Sequence, residues 1–283
     1  MGEARRRDVR AALEEARERL GRAGVDDPPR EAELLLAAAL GVDRAALHAG
    51  PPDLPPGALD RFRSLVARRA LREPAAYLLG VREFRSREFE VGPAVLVPRP
   101  ETEHLVEAAL EAIPPGSPAL AADAGTGSGC IAVTLAAERP LLRVVATDRS
   151  AAALAVARRN ALRHGVGDRV ALLRADFLEA LRGPIDLVVS NPPYVSEGDT
   201  VDPEVLHEPR EAVFAGPDGL EAYRRLAPAA ARVLRPGGRL LVETPGARVE
   251  AIAAILRAAG LDPLPPVPDL AGLPRVMGGD VRN

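Results

Sequence analysis

The first 80 residues carry the periodicity of helices. Apolar residues recur at every third or fourth position between Val9 and Leu20, which is the spacing of one face of an α-helix. Asp27-Pro28-Pro29 is typical of a helix start and Gly41 of a helix end, and a further helix is expected over about 58–72. The pattern predicts a small all-helical domain at residues 1–80.

A different pattern follows at residues 81–112. Apolar and polar residues alternate from Val81 to Val91 on either side of Arg85-Ser86, which predicts a β-hairpin. Ala94–Val97 is expected to add a short strand. Pro98–Glu103 then leads into a helix, since proline and acidic residues favour the first helical turn. We therefore expect a hairpin and linker between two larger domains.

From Leu120 onward, short apolar runs alternate with helical segments. Strands are expected at Leu120–Asp123, Arg143–Thr147, Val170–Arg174, Ile185–Ser190 and Arg239–Glu243. Helices are expected at about Ser128–Glu138, Ala151–His164, Leu220–Leu234 and Val249–Ala259. A final pair of strands is expected at Leu264–Val267 and Arg275–Gly278. Such alternation predicts an α/β domain over residues 113–283, with a mostly parallel sheet and helices on both faces.

Composition narrows the class of protein. Apolar residues make up 47% and charged residues 27% of the 283 positions, as in ordinary globular proteins, and the net charge of −3 gives no electrostatic case for a nucleic-acid partner. Cys130 is the single cysteine, so neither an internal disulfide nor a cysteine-rich zinc site is expected, and no metal site is predicted. The charged N-terminus is unlike a signal peptide, and no apolar run approaches the ~18 residues of a membrane span. We expect a cytoplasmic protein.

The first strand of the α/β domain runs into a glycine-rich loop, Asp123-Ala124-Gly125-Thr126-Gly127-Ser128-Gly129. Glycines between a strand and a helix let the backbone approach a ligand closely. The spacing G-x-G-x-G is one residue shorter than the dinucleotide fingerprint, and the lysine of a phosphate-binding P-loop is missing. Asp123 suits a cationic ligand, such as the ammonium of a methionine moiety, better than a pyrophosphate.

Acidic and aromatic residues end the next two strands. Asp148 follows the glycine loop by about 20 residues, where a carboxylate accepts hydrogen bonds from ribose hydroxyls. Asp176 could bind an adenine amino group, and Phe177 could pack on the ring. Each residue alone could be an ordinary loop residue, but together they outline a nucleoside pocket. We infer that the cofactor is S-adenosylmethionine.

The fourth strand ends in Ser190-Asn191-Pro192-Pro193-Tyr194. Two consecutive prolines make a stiff loop and remove backbone donors, so the carbonyls of Asn191 and Pro192 are left without regular partners. With the Asn191 side chain they form a rigid set of acceptors, suited to a planar NH2 group. An ordinary turn is the alternative, because Asn-Pro marks turns in general.

Taken together, these motifs resemble the HemK-type family of protein-glutamine N5-methyltransferases over nearly the whole chain. The matching pieces are EPAAYLLGVREF (73–84), VLVPRPETE (95–103), DAGTGSGCIAV (123–133), ATDRSAAALAVARRNA (146–161), DLVVSNPPYV (186–195), HEPREAVFAGPDGL (207–220) and LRPGGRLLVE (234–243). The NPPY piece also occurs in nucleic-acid amino-group methyltransferases, whereas PRPETE and HEPR are more specific.

The resemblance implies a seven-stranded, Rossmann-like S-adenosylmethionine-dependent methyltransferase domain, preceded by a helical domain that engages the protein substrate. It implies that this substrate is a peptide chain release factor, methylated on the glutamine amide nitrogen of a Gly-Gly-Gln motif. By position, it implies cofactor-binding residues Gly125, Thr126, Gly127, Ser128, Gly129, Asp148, Phe177 and Asn191. It also implies substrate-binding residues Asn191, Pro192, Pro193 and Tyr194, of which Asn191, Pro192 and Tyr194 are catalytic.

Two other substrate classes stay open. Methylation of a ribosomal-protein glutamine would use the same chemistry. A nucleic-acid amino group is disfavoured by the net charge and by an aromatic content of only 3%, because few rings are available for base stacking. We expect no membrane partner and no stable nucleic-acid partner.

Overall fold

The computed structural model describes residues 2–49 and 55–282. The chain forms two compact units. One consists of the residues up to Val81 together with Asp202–His207, and the other consists of Arg82–Val201 and the residues from Glu208 onward.

The described part of the first unit is helical. Its elements are α1 (Gly2–Arg22), α2 (Pro28–Leu40), α3 (Arg44–Ala49), α4 (Ala58–Ala70), α5 (Ala75–Leu79) and a 3₁₀-helix (Pro203–His207). The Asp27 carboxylate caps α2 by accepting a hydrogen bond from the Arg30 backbone N–H at 3.3 Å. Leu35, Leu36 and Phe62 are buried in the core of this unit.

Ion pairs hold the 3₁₀-helix within the first unit. Glu204 accepts hydrogen bonds from Arg69 at 2.9 Å and from Arg72 at 2.6 Å. Arg69 is buried and also binds Glu31 at 2.9 Å. Two arginines therefore join a distant segment to the helices that precede it in the chain.

The hairpin has the turn that the sequence predicts. Strand β1 (Val81–Phe84) pairs with β2 (Arg87–Glu90), and the two residues between them have positive φ, 47° at Arg85 and 56° at Ser86. Two successive residues of this kind match the twist of the flanking strands. The buried rings of Phe84 and Phe89 meet edge to face, 6.1 Å apart.

The strand predicted at Ala94–Val97 is wrong. These residues form turns, with the Val95 N–H donating to the Gly92 carbonyl at 3.1 Å. Val97 is buried, but its N–H donates to the side chain of Glu208 at 2.9 Å instead of to a neighbouring strand. The alternating apolar residues reflect a buried loop.

The remaining elements of the second unit alternate along the chain. The strands are β3 (Ala119–Ala124), β4 (Leu142–Asp148), β5 (Val170–Arg174), β6 (Ile185–Ser190), β7 (Leu234–Glu243), β8 (Leu261–Pro263), β9 (Val267–Pro268) and β10 (Pro274–Val281). The helices are α6 (Thr102–Ala112), α7 (Cys130–Glu138), α8 (Ala151–Arg163), α9 (Arg210–Val213), α10 (Glu221–Val233) and α11 (Val249–Ala258).

These strands form one mostly parallel sheet. Its order is β5-β4-β3-β6-β7-β10-β8, with the two-residue β9 paired to β10. The first five of these strands are parallel, whereas β10 is antiparallel to its neighbours. One hydrophobic core lies between the sheet and α6 and α7, and another lies between the sheet and α10 and α11. The α/β class predicted from the sequence is confirmed.

The topology positions a binding site. The chain builds outward from β3 through β4 to β5, and then returns to place β6 on the other side of β3. Open α/β sheets bind ligands where the strand order reverses, outside the carboxyl ends of the strands. That point lies between the glycine loop after β3 and the Asn-Pro-Pro-Tyr loop after β6. Within the described ranges, no helix is long and apolar enough to cross a membrane.

Candidate active site

A cleft opens at the carboxyl ends of β3 and β6. Most of the residues predicted to bind cofactor or substrate line it, namely Gly125, Thr126, Gly127, Ser128, Asp148, Phe177, Asn191, Pro192 and Pro193. The structure therefore brings together residues from four separate loops. Gly129 and Tyr194 do not line the cleft.

The glycine loop needs glycine at two positions for different reasons. Gly127 has φ +54°, and a Cβ there would meet no protein atom within 4 Å, so open space adjoins it on the cleft side. Gly129 has φ +81° and is the N-cap of α7, and a Cβ there would approach the Ala157 Cβ to 3.1 Å. Gly127 thus leaves room for a ligand, whereas Gly129 lets α7 pack closely against α8.

Asp123 stabilises this loop from beneath. Its Oδ2 accepts hydrogen bonds from the Thr126 hydroxyl at 2.6 Å and from the Ala132 N–H at 3.1 Å. Burial raises the pKa of this carboxyl to about 6. Its Oδ1 is buried and accepts no hydrogen bond within the described part of the chain. Its contact with a ligand ammonium stays a prediction.

Asp148 is oriented by two backbone groups. Its Oδ2 accepts a hydrogen bond from the Gly127 N–H at 3.0 Å, and its Oδ1 accepts one from the Ser150 N–H at 2.8 Å. Each carboxylate oxygen can accept a further hydrogen bond. The carboxylate therefore has the capacity and the fixed orientation that a pair of ribose hydroxyls requires.

Arg225 is a cleft residue that the sequence did not indicate. It forms an ion pair with Asp176, and its guanidinium lies 5.4 Å from the centre of the Phe177 ring. Asp176 therefore has a protein partner, and its contact with an adenine amino group stays a prediction. Phe177 has φ +44°, an uncommon conformation for an aromatic residue. Its ring is held between α10 and the glycine loop.

The loop after β6 presents the acceptors that the sequence predicted. Neither the Asn191 nor the Pro192 carbonyl accepts a hydrogen bond within the described residues. The Asn191 amide NH2 donates to the Thr102 hydroxyl at 3.1 Å, which leaves its side-chain oxygen free. At the preceding position, the Ser190 hydroxyl donates to the Ala124 carbonyl at 2.6 Å and joins the ends of β6 and β3.

Tyr194 lies behind the cleft instead of lining it. Its ring packs at the edge of the second core, and its hydroxyl donates to Glu243 Oε1 at 3.4 Å. Its carbonyl accepts a hydrogen bond from Arg248, which also binds the Ser196 hydroxyl at 2.5 Å. These contacts support a role in holding the loop, and a contact with the substrate amide stays a prediction.

Glu243 is the main residue that sequence reasoning missed. It ends β7 and is buried, and its Oε2 accepts a hydrogen bond of 2.6 Å from the Thr102 hydroxyl. Burial raises the pKa of the Glu243 carboxyl to about 7. Its position at a strand end, like those of Asp123 and Asp148, is the signal that could have identified it.

The HEPR segment supports the wall of the cleft. The buried carboxylate of Glu208 accepts hydrogen bonds from the Arg99 guanidinium and from the Val97 N–H. Pro209 and Pro98 both line the cleft. An ion pair thus joins the PRPETE segment to the HEPR segment, although 109 positions separate Arg99 from Glu208.

The sequence and the fold are similar to those of known methyltransferases. The profile described as the PrmC N-terminal domain matches residues 11–80, and the methyltransferase small domain matches residues 103–212. The methyltransferase from Pyrococcus furiosus shares the fold, with a TM-score of 0.53 and 19% identity over 78% of this chain and 98% of that one.

Two relatives with high identity cover nearly the whole chain. The release factor glutamine methyltransferase of Cereibacter sphaeroides is 47% identical over 271 residues, covering 94% of this chain and 96% of that protein. The release factor glutamine methyltransferase of Moorella thermoacetica is also 47% identical, covering 89% of this chain and 90% of its own length. The chain therefore belongs to the release factor glutamine methyltransferase family.

Proposed function

We propose that the protein transfers a methyl group from S-adenosylmethionine to the side-chain amide nitrogen of a glutamine in a peptide chain release factor. We further propose that this glutamine belongs to a Gly-Gly-Gln motif. Family membership supports the reaction. The observation that carries it here is the pair of free acceptors at Asn191 and Pro192, which line the same cleft as the glycine loop.

The residues around the cleft fit the cofactor. S-adenosylmethionine, when bound, supplies an electrophilic methyl group. The open space at Gly127, the two oriented oxygens of Asp148 and the ring of Phe177 match its methionine, ribose and adenine parts. The cofactor-binding residues that we propose are Gly125, Thr126, Gly127, Ser128, Gly129, Asp148, Phe177 and Asn191.

The acceptors of Asn191 and Pro192 compensate for the low nucleophilicity of the glutamine amide nitrogen. The nitrogen lone pair of glutamine is delocalised into its carbonyl, so a general base is not a sufficient catalyst and Asn191 cannot act as one. The Asn191 side-chain oxygen and the Pro192 carbonyl accept hydrogen bonds from the glutamine NH2 and orient the nitrogen. These bonds strengthen as positive charge develops on that nitrogen, which stabilises the transition state selectively. The orientation also lowers the entropic cost of reaction.

Pro193 and Tyr194 complete the substrate loop. Pro193 stiffens it, and Tyr194 is held by Glu243 and Arg248. We propose that Tyr194, which follows Pro193, packs against the plane of the substrate amide and so acts as a catalytic residue. The helical domain at residues 1–80 engages the release factor, residues 81–112 link the domains, and residues 113–283 perform catalysis.

The proposed substrate also sets the expected partners and location. Release factors act on ribosomes, so the protein works in the cytoplasm. The net charge of −3 gives no electrostatic support for a stable nucleic-acid partner.

Methyl transfer with a tritiated donor tests the proposal. Purified release factor and a Gln→Ala variant of its Gly-Gly-Gln motif are incubated with the enzyme and S-adenosylmethionine. Label on the natural factor alone is expected. Equal label on both proteins would refute the proposed site. No label on either, with cofactor binding intact, would refute the substrate class, and ribosomal proteins would be assayed next.

A further inference from the structure

Three side chains form a hydrogen-bonded series that ends in the cleft. The Asn191 NH2 donates to Thr102 Oγ1 at 3.1 Å, and Thr102 Oγ1 donates to Glu243 Oε2 at 2.6 Å. They come from the loop after β6, the start of α6 and the end of β7. None of these contacts is between sequence neighbours, so the packing of α6 against the sheet creates the series.

The number of hydroxyl protons fixes the direction of the series. Threonine has a single hydroxyl hydrogen to donate. Above pH about 7, where Glu243 is ionised, its carboxylate offers only acceptors, so that hydrogen is directed toward Glu243. Thr102 can then only accept from Asn191, so the amide nitrogen of Asn191 must face Thr102. The amide oxygen of Asn191 is left pointing away from Thr102.

Burial protects this arrangement from water. Thr102 and Glu243 are each 2% exposed. Water therefore cannot easily offer the Thr102 hydroxyl an alternative acceptor, and a buried carboxylate without its donors would be costly. Tyr194 holds the other carboxylate oxygen of Glu243 at 3.4 Å. The direction of the Thr102 hydroxyl is consequently determined from both ends.

Rotation of the Asn191 side-chain amide by 180° would oppose the reaction. In the flipped orientation Asn191 would present its NH2 to the glutamine NH2, so that two donors would face each other. The free-energy difference between the two orientations of the Asn191 amide therefore sets the fraction of enzyme molecules that can bind the substrate productively. Thr102 contacts the Asn191 amide directly, and Glu243 is linked to it only through Thr102.

We propose that Thr102 and Glu243 are positioning residues that hold the Asn191 amide with its oxygen toward the substrate glutamine. The inference rests on the proposed function, because it assigns a purpose to one orientation of Asn191. It also explains why the PRPETE segment carries a threonine beside the cleft, where many residue types could begin a helix.

Variants at Thr102 separate the hydroxyl from the volume of the side chain. Thr102→Val keeps the shape and removes the hydroxyl, whereas Thr102→Ser keeps the hydroxyl and removes a methyl group. We expect Thr102→Val to lower kcat for the release factor by about tenfold to a hundredfold. Thr102→Ser should stay within about threefold of the unaltered enzyme. Affinity for S-adenosylhomocysteine, measured by calorimetry, should be unchanged in both.

A double variant tests whether Thr102 acts through Asn191. Residues that act as one unit give non-additive effects. In the Asn191→Ala background, adding Thr102→Val should lower kcat no further. An additional loss equal to that of the single variant would show a purely structural role and overturn the proposal. Full activity in Thr102→Val would also overturn the proposal, as would equal losses of kcat in the Thr102→Val and Thr102→Ser variants.

Variants at Glu243 keep the proposal testable if Thr102→Val fails to fold. Glu243→Gln retains an oxygen that accepts from Thr102 and should keep most activity, whereas Glu243→Met should lose kcat as Thr102→Val does. Equal activity in the two Glu243 variants would contradict the proposal. If the unaltered enzyme itself transfers no methyl group to release factor, the proposed function fails instead, and the two failures are thereby distinguished.

Discussion

Arg99 and Glu208, whose neighbours Pro98 and Pro209 line the cleft, form an ion pair, and the same carboxylate accepts a hydrogen bond from the Val97 N–H at 2.9 Å. The Glu208 side chain is 1% exposed, whereas that of Arg99 is 33% exposed. Glu208→Ala would therefore leave a buried backbone N–H without its acceptor, while Arg99 could return to water. We expect the free energy of unfolding to fall by about 2 to 3 kcal/mol, measured by urea denaturation.

An exposed ion pair in the second unit provides the control for the Glu208→Ala measurement. Glu197 and Arg210 lie 3.5 Å apart with side chains that are 56% and 68% exposed. Such pairs contribute little to stability, so Glu197→Ala should lower the free energy of unfolding by less than about 0.5 kcal/mol. Equal losses in the two variants would show that the buried position of Glu208 has no special effect.

Asn191 should affect turnover more than cofactor binding. Asn191→Ala removes one of the two acceptors that orient the glutamine nitrogen. We expect kcat to fall by ~10²-fold or more, by comparison with the loss of one oriented donor in other enzymes. The dissociation constant for S-adenosylmethionine should change little in calorimetry. Glu197→Ala, further along the same loop, should keep normal turnover, and comparable turnover in the Asn191 variant would end this account of catalysis.

Asp148, unlike Asn191, should affect mainly the binding of the cofactor. Asp148→Ala removes a carboxylate that the Gly127 and Ser150 N–H groups hold in place. Hydrogen bonds to a charged group contribute about 1.5 to 3 kcal/mol, so affinity for S-adenosylmethionine should fall by about tenfold to a hundredfold. Asp168→Ala, at an exposed position before β5, is the matched control. Unchanged calorimetric affinity in Asp148→Ala would remove this residue from the site.

Glu243 should make stability depend on pH. Burial raises the pKa of its carboxyl to about 7, while the Thr102 hydrogen bond opposes that rise and the nearby Glu101 charge adds to it. The folded state therefore binds a proton that the unfolded chain releases near pH 4.5, the ordinary value for glutamate. This contribution to the free energy of unfolding is fully present below pH ~4.5 and is lost as the pH rises through about 7.

Comparison with Glu243→Gln isolates this effect from other ionisable groups. Asp123 also has a raised pKa, about 6, and contributes in the same direction. The free energy of unfolding of the unaltered protein, minus that of Glu243→Gln, should decrease between pH 4.5 and 7 and level off above that range. Urea denaturation at several pH values measures it. A difference that stays constant with pH would show that Glu243 titrates normally.

Local pattern predicted the longer strands and helices of the fold. Val170–Arg174 and Ile185–Ser190 have the predicted bounds, since continuous apolar runs between turns identify buried strands. Ala94–Val97 failed because alternating burial arose in a loop held by Glu208. The strand predicted at Leu264–Val267 is wrong at its first three residues. Only Val267–Pro268 form the strand β9, and so short a strand has no periodicity.

The site was predictable only where its residues stand in recognisable motifs. Gly127, Asp148 and Asn191 lie at or just beyond the carboxyl ends of strands, and the parallel sheet brings such residues to one edge. Thr102 and Glu243 meet across 141 positions, and their pairing depends on how α6 packs against β7. Tyr194 was expected in the cleft because of its neighbours in sequence, but its side chain packs against the hydrophobic core between the sheet and α10 and α11.

Tandem mass spectrometry of methylated release factor tests the central claim most directly. The factor is incubated with S-adenosylmethionine and either the unaltered enzyme or Asn191→Ala, digested, and the methyl group is located by fragmentation. Our account predicts a methyl group on the side-chain amide of the Gly-Gly-Gln glutamine with the unaltered enzyme, and almost none with the variant. A methyl group on another side chain or on a backbone nitrogen would contradict it.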